Sequence, residues 1–273
     1  NNIGKEILPD FESRVELRYV DENGKPSPHV YPIRAEKLGG VFYTCNNPGD
    51  NGAEALLNLM LGQENPSGRL MDEIVYDYDD NPVSRCYGGL TFSRQSTTED
   101  LYIYGHNYVA YKEGVYLGYK YFETFCQEKV VYPFGFGLSY TEFSWEAGGL
   151  KTGTNEYGEL QFTVDVTVKN VGTAAGKDVV QLYVTAPYDP ESKYHVEKPL
   201  VSLAAFEKTA EIQPGQTDTV TLTWNARDIA CYSDTAECYV LEQGSYQFCV
   251  STNANTAHSA PATVLRWDNS EDM

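Results

Sequence analysis

Positive charge is scarce in this sequence. Lys and Arg number 20 against 39 Asp and Glu, leaving a net charge of −19. Nucleic acid and anionic membrane surfaces both demand a basic footprint, so neither is an expected partner. Long apolar runs are also missing, and none approaches the length of a membrane-spanning helix. No signal peptide is read at Asn1, and a mature, trimmed or fragment terminus is expected there. A soluble protein is expected, with cytoplasmic and secreted locations both open. The six cysteines, Cys45, Cys86, Cys126, Cys231, Cys238 and Cys249, form no C-x-x-C pair. The four histidines, His29, His106, His195 and His258, show no ligand spacing. Neither a structural metal site nor a cofactor is implied, and each histidine reads as a surface or loop residue. Cys231 and Cys238 flank the turn in "CYSDTAEC". Two alternatives stay open there, a cross-strand disulfide or two free thiols on a hairpin.

What is abundant is aromatic. Rings make up 13% of the 273 residues, with 22 tyrosines, and 41% of residues are hydrophobic. A packed core is affordable and global disorder is not expected.

Residues 1–40 suggest two strands around the turn "DENGKPSP". "GGVFYTCNN" reads as a short buried strand. A helix is expected after it, with Asp50 as cap, Ala53, Leu56, Leu57, Met60 and Leu61 on one face, and Gly62 at its end. Residues 72–112 lack helical periodicity and read as a long acidic, tyrosine-rich excursion with short strands at most.

From about Leu160 the period changes to two. In "LQFTVDVTVKNVG" the residues Phe162, Val164, Val166 and Val168 share one face. "KDVVQLYVTAP", "LVSLAAFEK", "DTVTLTW", "CYVLEQGSYQFCVST" and "PATVLRW" continue as strands between turn signals. Six or seven short antiparallel strands in about a hundred residues predict an immunoglobulin-like sandwich. The fold class is therefore α+β and mostly β. An incomplete α/β portion at 1–129 precedes an aromatic and glycine-rich connector at 130–145, and a β-sandwich occupies 146–273.

The connector holds "VYPFGFGLSYTEF", Val131 to Phe143. Its rings, Tyr132, Phe134, Phe136, Tyr140 and Phe143, want burial, and Pro133, Gly135 and Gly137 restrict or free the backbone. A serine-glycine linker would need none of this. An ordered connector docked between two domains is expected.

Three segments in order, "QENPSGRL" (63–70), "KEGVYLGYKYFET" (112–124) and "VVYPFGFGLSYTEF" (130–143), resemble glycoside hydrolase family 3, the β-glucosidase-like enzymes. "NNPGDNGAEALLNLMLG" (46–62) resembles the turn and helix that precede them in the family. "NVGTAAGKDVVQLYV", "EKPLVSLAAFEK", "QPGQTDTVTL" and "CYVLEQGSYQF" resemble its fibronectin type III-like domain. The wording from Ala226 to Tyr246 looks closest to members with an inverted order, whose catalytic barrel follows that domain. The likeness covers roughly residues 38–265.

The resemblance implies a retaining glycosidase with an aspartate nucleophile and a carboxylic acid/base, about 5–5.5 Å apart. In the family the nucleophile sits on a (β/α)₈ barrel, within a motif resembling Ser-Asp-Trp. No such motif occurs here, and "WDN" at Trp267–Asn269 is not it. The family's acid/base context is absent from residues 1–40, as is the first half of the α/β sandwich. No catalytic, cofactor-binding or metal-binding residue is carried over. The implied partners are a carbohydrate, β-glucoside-like, in the complete enzyme, and a barrel domain or second chain that completes it. The alternative is a stand-alone carbohydrate-binding or adhesion module without catalysis.

Other side chains are candidates for the missing chemistry. Glu113 is read as structural rather than catalytic. The run Asp72, Glu73, Asp77, Asp79 and Asp80 is read as a solvated face rather than a calcium site. Arg69 is expected to pair with a carboxylate rather than with a sugar. Tyr87, Tyr102, Tyr104, Tyr108 and Tyr111 are read as packing of the excursion rather than as sugar-stacking rings.

Overall fold

The computed structural model describes the backbone of residues 16–20, 26–30, 42–43, 49–77, 80–85 and 113–273. The chain forms two compact units, residues 1–60 and 61–273.

In the first unit, β1 (Glu16–Val20) and β2 (Pro26–Val30) pair antiparallel, with Leu17 opposite His29 and Tyr19 opposite Ser27. This is the expected strand pair, although β2 begins inside the predicted turn. Helix α1 (Gly49–Met60) starts one residue before Asp50, so Asp50 lies in the first turn instead of capping it. It ends before Gly62, whose φ of 71° is a left-handed conformation suited to glycine. Leu57 and Met60 are exposed on the helix. Phe42 and Tyr43 are exposed and not in a strand, which corrects the expectation of a buried strand there. A buried strand needs neighbours in its sheet and layers on its faces, and the described residues of this unit supply none.

The second unit is built on two antiparallel sheets. One contains β5 (Phe143–Ala147), β6 (Lys151–Thr154), β7 (Leu160–Asn170) and β10 (Thr217–Asn225), with β7 between β10 on one side and β5 and β6 on the other. The other runs β14 (Thr263–Asn269), β13 (Gly244–Ser251), β8 (Val179–Thr185), β9 (Ser202–Lys208). The period-two pattern of β7 points Phe162, Val164, Val166 and Val168 inward, each fully buried. Val220, Leu222 and Trp224 from β10 and Tyr246, Phe248 and Val250 from β13 complete the core. Phe162 stacks on Trp224 at 5.5 Å between ring centroids. This is the expected sandwich.

β5 and β6 were not expected as strands. They are held by pairing with β7, Trp145 opposite Val168 and Thr152 opposite Phe162. The hairpin of β11 (Cys231–Ser233) and β12 (Cys238–Val240) carries the two cysteines, but Cys231 lies opposite Val240 and Cys238 opposite Ser233. That stagger keeps the sulfurs unbridged, and both thiols are free.

β8 departs from the one-faced pattern. Val180, Gln181, Leu182, Tyr183 and Val184 are all buried. The outer side of this sheet is covered by α2 (Tyr119–Phe125), by α3 (Ala254–Ser259) and by the connector. Tyr183, Val201, Cys249, Ala254 and Ala257 form a second small core there, with Tyr119 and Phe134 against it. The excursion contributes β3 (Ile74–Val75), paired with β4 (Val130–Tyr132) at the start of the connector.

Candidate functional site

The connector is an ordered strap. Gly135 N donates to Leu70 O and Leu70 N donates to Phe136 O, both at 2.9 Å, tying it to residues 68–70. Gln181 Nε2 donates to Gly135 O at 3.1 Å and to Thr252 O at 2.8 Å. A Cβ at Gly135, where φ is 82°, would stand 2.0 Å from Gln181 Oε1. At Gly137 it would stand 2.3 Å from the Gly68 carbonyl oxygen. Both glycines therefore serve close approach, to a polar side chain and to a backbone. The rings divide the work. Phe134 stacks on Tyr119 at 4.3 Å, Tyr132 meets Phe136 at 4.9 Å, and Phe143 packs on the main core. Tyr140 stays half exposed.

The segment "QENPSGRL" is pinned by two side chains. Asn65 Nδ2 donates to Ala175 O at 3.0 Å, while its Oδ1 accepts from Ser139 Oγ and Tyr140 N. Arg69 Nη2 meets Asp178 Oδ1 at 2.6 Å, with side chains 14% and 6% exposed. Asp178 also accepts from Trp145 Nε1 and Val179 N, each at 2.8 Å. Arg69 thus pairs with a carboxylate, as expected, across 109 residues.

The acidic run divides. Asp72 is exposed and Asp80 meets Lys129 at 2.7 Å. Glu73 instead is 9% exposed, with Oε2 lacking any hydrogen-bond partner. Its burial, then its hydrogen bond to Asp72, push its pKa up to about 8. That corrects the expectation of a solvated face for this one member. Beside it Glu123 on α2 is 1% exposed; Oε2 lies 2.9 Å from His258 Nε2 on α3, and Oε1 has no partner. Burial raises the Glu123 pKa while His258 opposes the rise. Neither Glu123 nor the role of His258 was found from sequence: they are 135 positions apart, and "NANTAHS" carries no helical apolar stripe. His258 is a helix residue whose Nε2 contacts a buried carboxyl, which corrects its reading as a surface or loop histidine. Glu113 has one buried oxygen without a partner. Asp79, Tyr87, Tyr102, Tyr104, Tyr108, Tyr111 and His106 lie outside the described residues.

Among the described residues, Glu73 and Glu123 are the carboxyls whose pKa is raised. Both are buried, Glu73 at 9% and Glu123 at 1% exposure, so neither is open to a sugar ring. Among the described residues no group of three or more His, Cys, Asp or Glu side chains is placed to hold a metal ion. No helix among them is long and apolar enough to cross a membrane. A shallow groove of about 360 Å³ lies elsewhere, at one end of the sandwich, between the loop 187–194 and Glu242, Gln243 and Asp272. Glu242 accepts from Ser192 Oγ and pairs with Lys198, and Lys193 meets Asp272 at 2.9 Å. Tyr188 stands exposed on its wall.

Comparison with known proteins places this architecture. Residues 178–254 match the fibronectin type III-like domain. A β-glucosidase of Ruminococcus albus is 33% identical over 95% of this chain and 24% of its own length. A β-glucosidase structure from Paenibacillus barengoltzii superposes with a TM-score of 0.66 at 34% identity, covering 81% of this chain and 22% of that one. β-Glucosidase 3B of Thermotoga neapolitana, solved in complex with glucose, gives 0.63 at 29% identity, covering 82% and 27%. These matches make the chain similar to a partial region of the β-glucosidases of glycoside hydrolase family 3, one that includes the fibronectin type III-like domain. It spans about a quarter of the length of the relatives it matches.

Proposed function

We propose that this chain is the part of a family 3 glycoside hydrolase outside its catalytic barrel. It contributes to hydrolysis of O-glycosidic bonds, of a β-glucoside-like substrate, when a barrel domain or second chain completes it. The carrying observation is the coverage, 95% of this chain against 24% of the Ruminococcus albus β-glucosidase. The burial of Glu73 and Glu123 supports the same reading, since a retaining pair must flank a bound sugar. The test is hydrolysis of aryl β- and α-glycosides by the chain alone, then with the barrel polypeptide encoded with or beside it. Turnover that needs the barrel is expected. Turnover by the chain alone, abolished by Glu113→Gln or Glu73→Gln, would overturn the reading.

The groove favours one second reading, a carbohydrate-binding module. Tyr188 offers a ring face, and Asp189 and Glu191 offer acceptors for hydroxyls. It predicts glucan binding without turnover, lost in Tyr188→Ala.

A further inference from the structure

Three carboxyl groups gather where α2 meets α3. Asp72 Oδ1 and Glu73 Oε2 crowd Gly118, at 3.6 and 3.4 Å from its β-position, and Glu123 follows one turn into α2. Glu73 Oε2 and Glu123 Oε1 are buried without partners. Among the described residues no lysine or arginine pairs with any of the three, and His258 is the one basic group in contact. The other groups facing the cluster are Tyr119 of α2, Tyr183 of β8 and Asn255 of α3, whose Nδ2 lies 3.4 Å from Glu123 Oε2. Burial raises the pKa of both phenols, which therefore stay neutral.

We propose that Glu73, Glu123 and His258 form a protonation-controlled lock that fastens α2 to the outer face of the second sheet, closed at mildly acidic pH and released as pH rises. In the closed state Glu73 keeps its proton, shared toward Asp72, and Glu123 Oε2 is held by His258 Nε2 at 2.9 Å with Asn255 beside it. At higher pH Glu73 loses its proton, leaving a buried charge whose Oε2 has no partner, beside the buried Glu123. The sign for Glu73 follows from its raised folded pKa. The folded chain holds this proton more tightly than the unfolded one, so stability falls as pH climbs from 4.5 through about 8. What the lock holds is specific. Leu203 N donates to Tyr119 Oη and Leu200 N to Thr124 Oγ1, each at 2.9 Å, and the Tyr119 ring covers the second core. The lock does not depend on the proposed glycosidase role.

Hydrogen exchange by mass spectrometry on the whole chain tests it, at about pH 6 and about pH 9, corrected for intrinsic rates. Peptides covering α2 are compared with peptides covering β7. We expect α2 protection, relative to β7, to fall at least ~10-fold at the higher pH. In Glu73→Gln most of that fall disappears. In His258→Gln, α2 is already weakly protected at the lower pH. A constant ratio of α2 to β7 protection in the wild-type chain overturns the proposal. So does a pH response that survives Glu73→Gln, or, if that variant does not fold, a His258→Gln chain with full α2 protection at the lower pH.

Discussion

Breaking the Arg69–Asp178 pair should cost the sandwich a measurable share of its stability. Arg69→Met keeps much of the buried side-chain volume and removes the charge. Asp178, 6% exposed, then faces the interior without its cation. Losing one partner of a buried pair costs about 3–5 kcal/mol. Asp178 keeps the Trp145 indole N–H and the Val179 amide, so the lower end applies, about 3 kcal/mol. For a unit of this size each kcal/mol moves the midpoint about 2–4 °C, so Tm should drop about 6–12 °C. The assay is urea and thermal unfolding followed by tryptophan fluorescence. It reports on the right unit, because Trp145, Trp224 and Trp267 all belong to the sandwich. Adding Asp178→Asn to Arg69→Met removes the stranded charge and should recover about 1–2 kcal/mol. A loss below about 1 kcal/mol in the single variant would refute the reasoning, since that is what a solvated surface pair delivers.

Three further outcomes follow from the packing. Gly137→Ala should lose about 1–3 kcal/mol in urea unfolding, because the Gly68 carbonyl cannot yield. Gly149→Ala, with open space around its β-position, should stay within about 0.5 kcal/mol, and equal losses at the two sites would remove the close-approach argument. Phe162→Ala should cost about 3–5 kcal/mol, since the ring is fully buried between Trp224 and Phe248. Alkylation of the unfolded chain without reductant should modify both Cys231 and Cys238, with Cys238 reacting first in the folded chain. Protection of the pair until reduction would mean a bridge.

The sandwich was legible because β7 and β10 alternate between core and the other face, and that alternation is printed in the residues. β6 was not, since all four of its residues are exposed and its register comes wholly from β7. α3 was not either. Its helix rests on an Asn253 cap accepting from Thr256 N and on two alanines small enough to pack against Cys249. The connector's order could be read from its rings, yet the surfaces its glycines approach could not. The Arg69 reading specified a carboxylate, but Asp178 stands 109 positions away. Glu73 and Asp72 are neighbours in an acidic run with opposite fates: just before β3, Glu73 is buried and Asp72 is exposed. Composition cannot separate two such residues; burial does.

The double burial of β8 bears on which functional reading is sound. A free-standing immunoglobulin-like module would leave one face of each sheet to solvent, with polar residues alternating outward. Here the outward positions of β8 are Gln181 and Tyr183. Both are buried, and they hydrogen-bond to each other at 2.6 Å beneath the connector and α3. Removing residues 61–137 would uncover Tyr183, Val201 and Cys249 and take the Gly135 carbonyl from the Gln181 amide, leaving it Thr252 O. The fibronectin type III-like domain is therefore shaped around the segments that precede it. A chain cut to residues 138–273 should bind a hydrophobic dye and aggregate where the whole chain does not. If that shortened chain stayed monomeric and as stable as the whole, the sandwich would be self-sufficient, and the stand-alone module would become the better account.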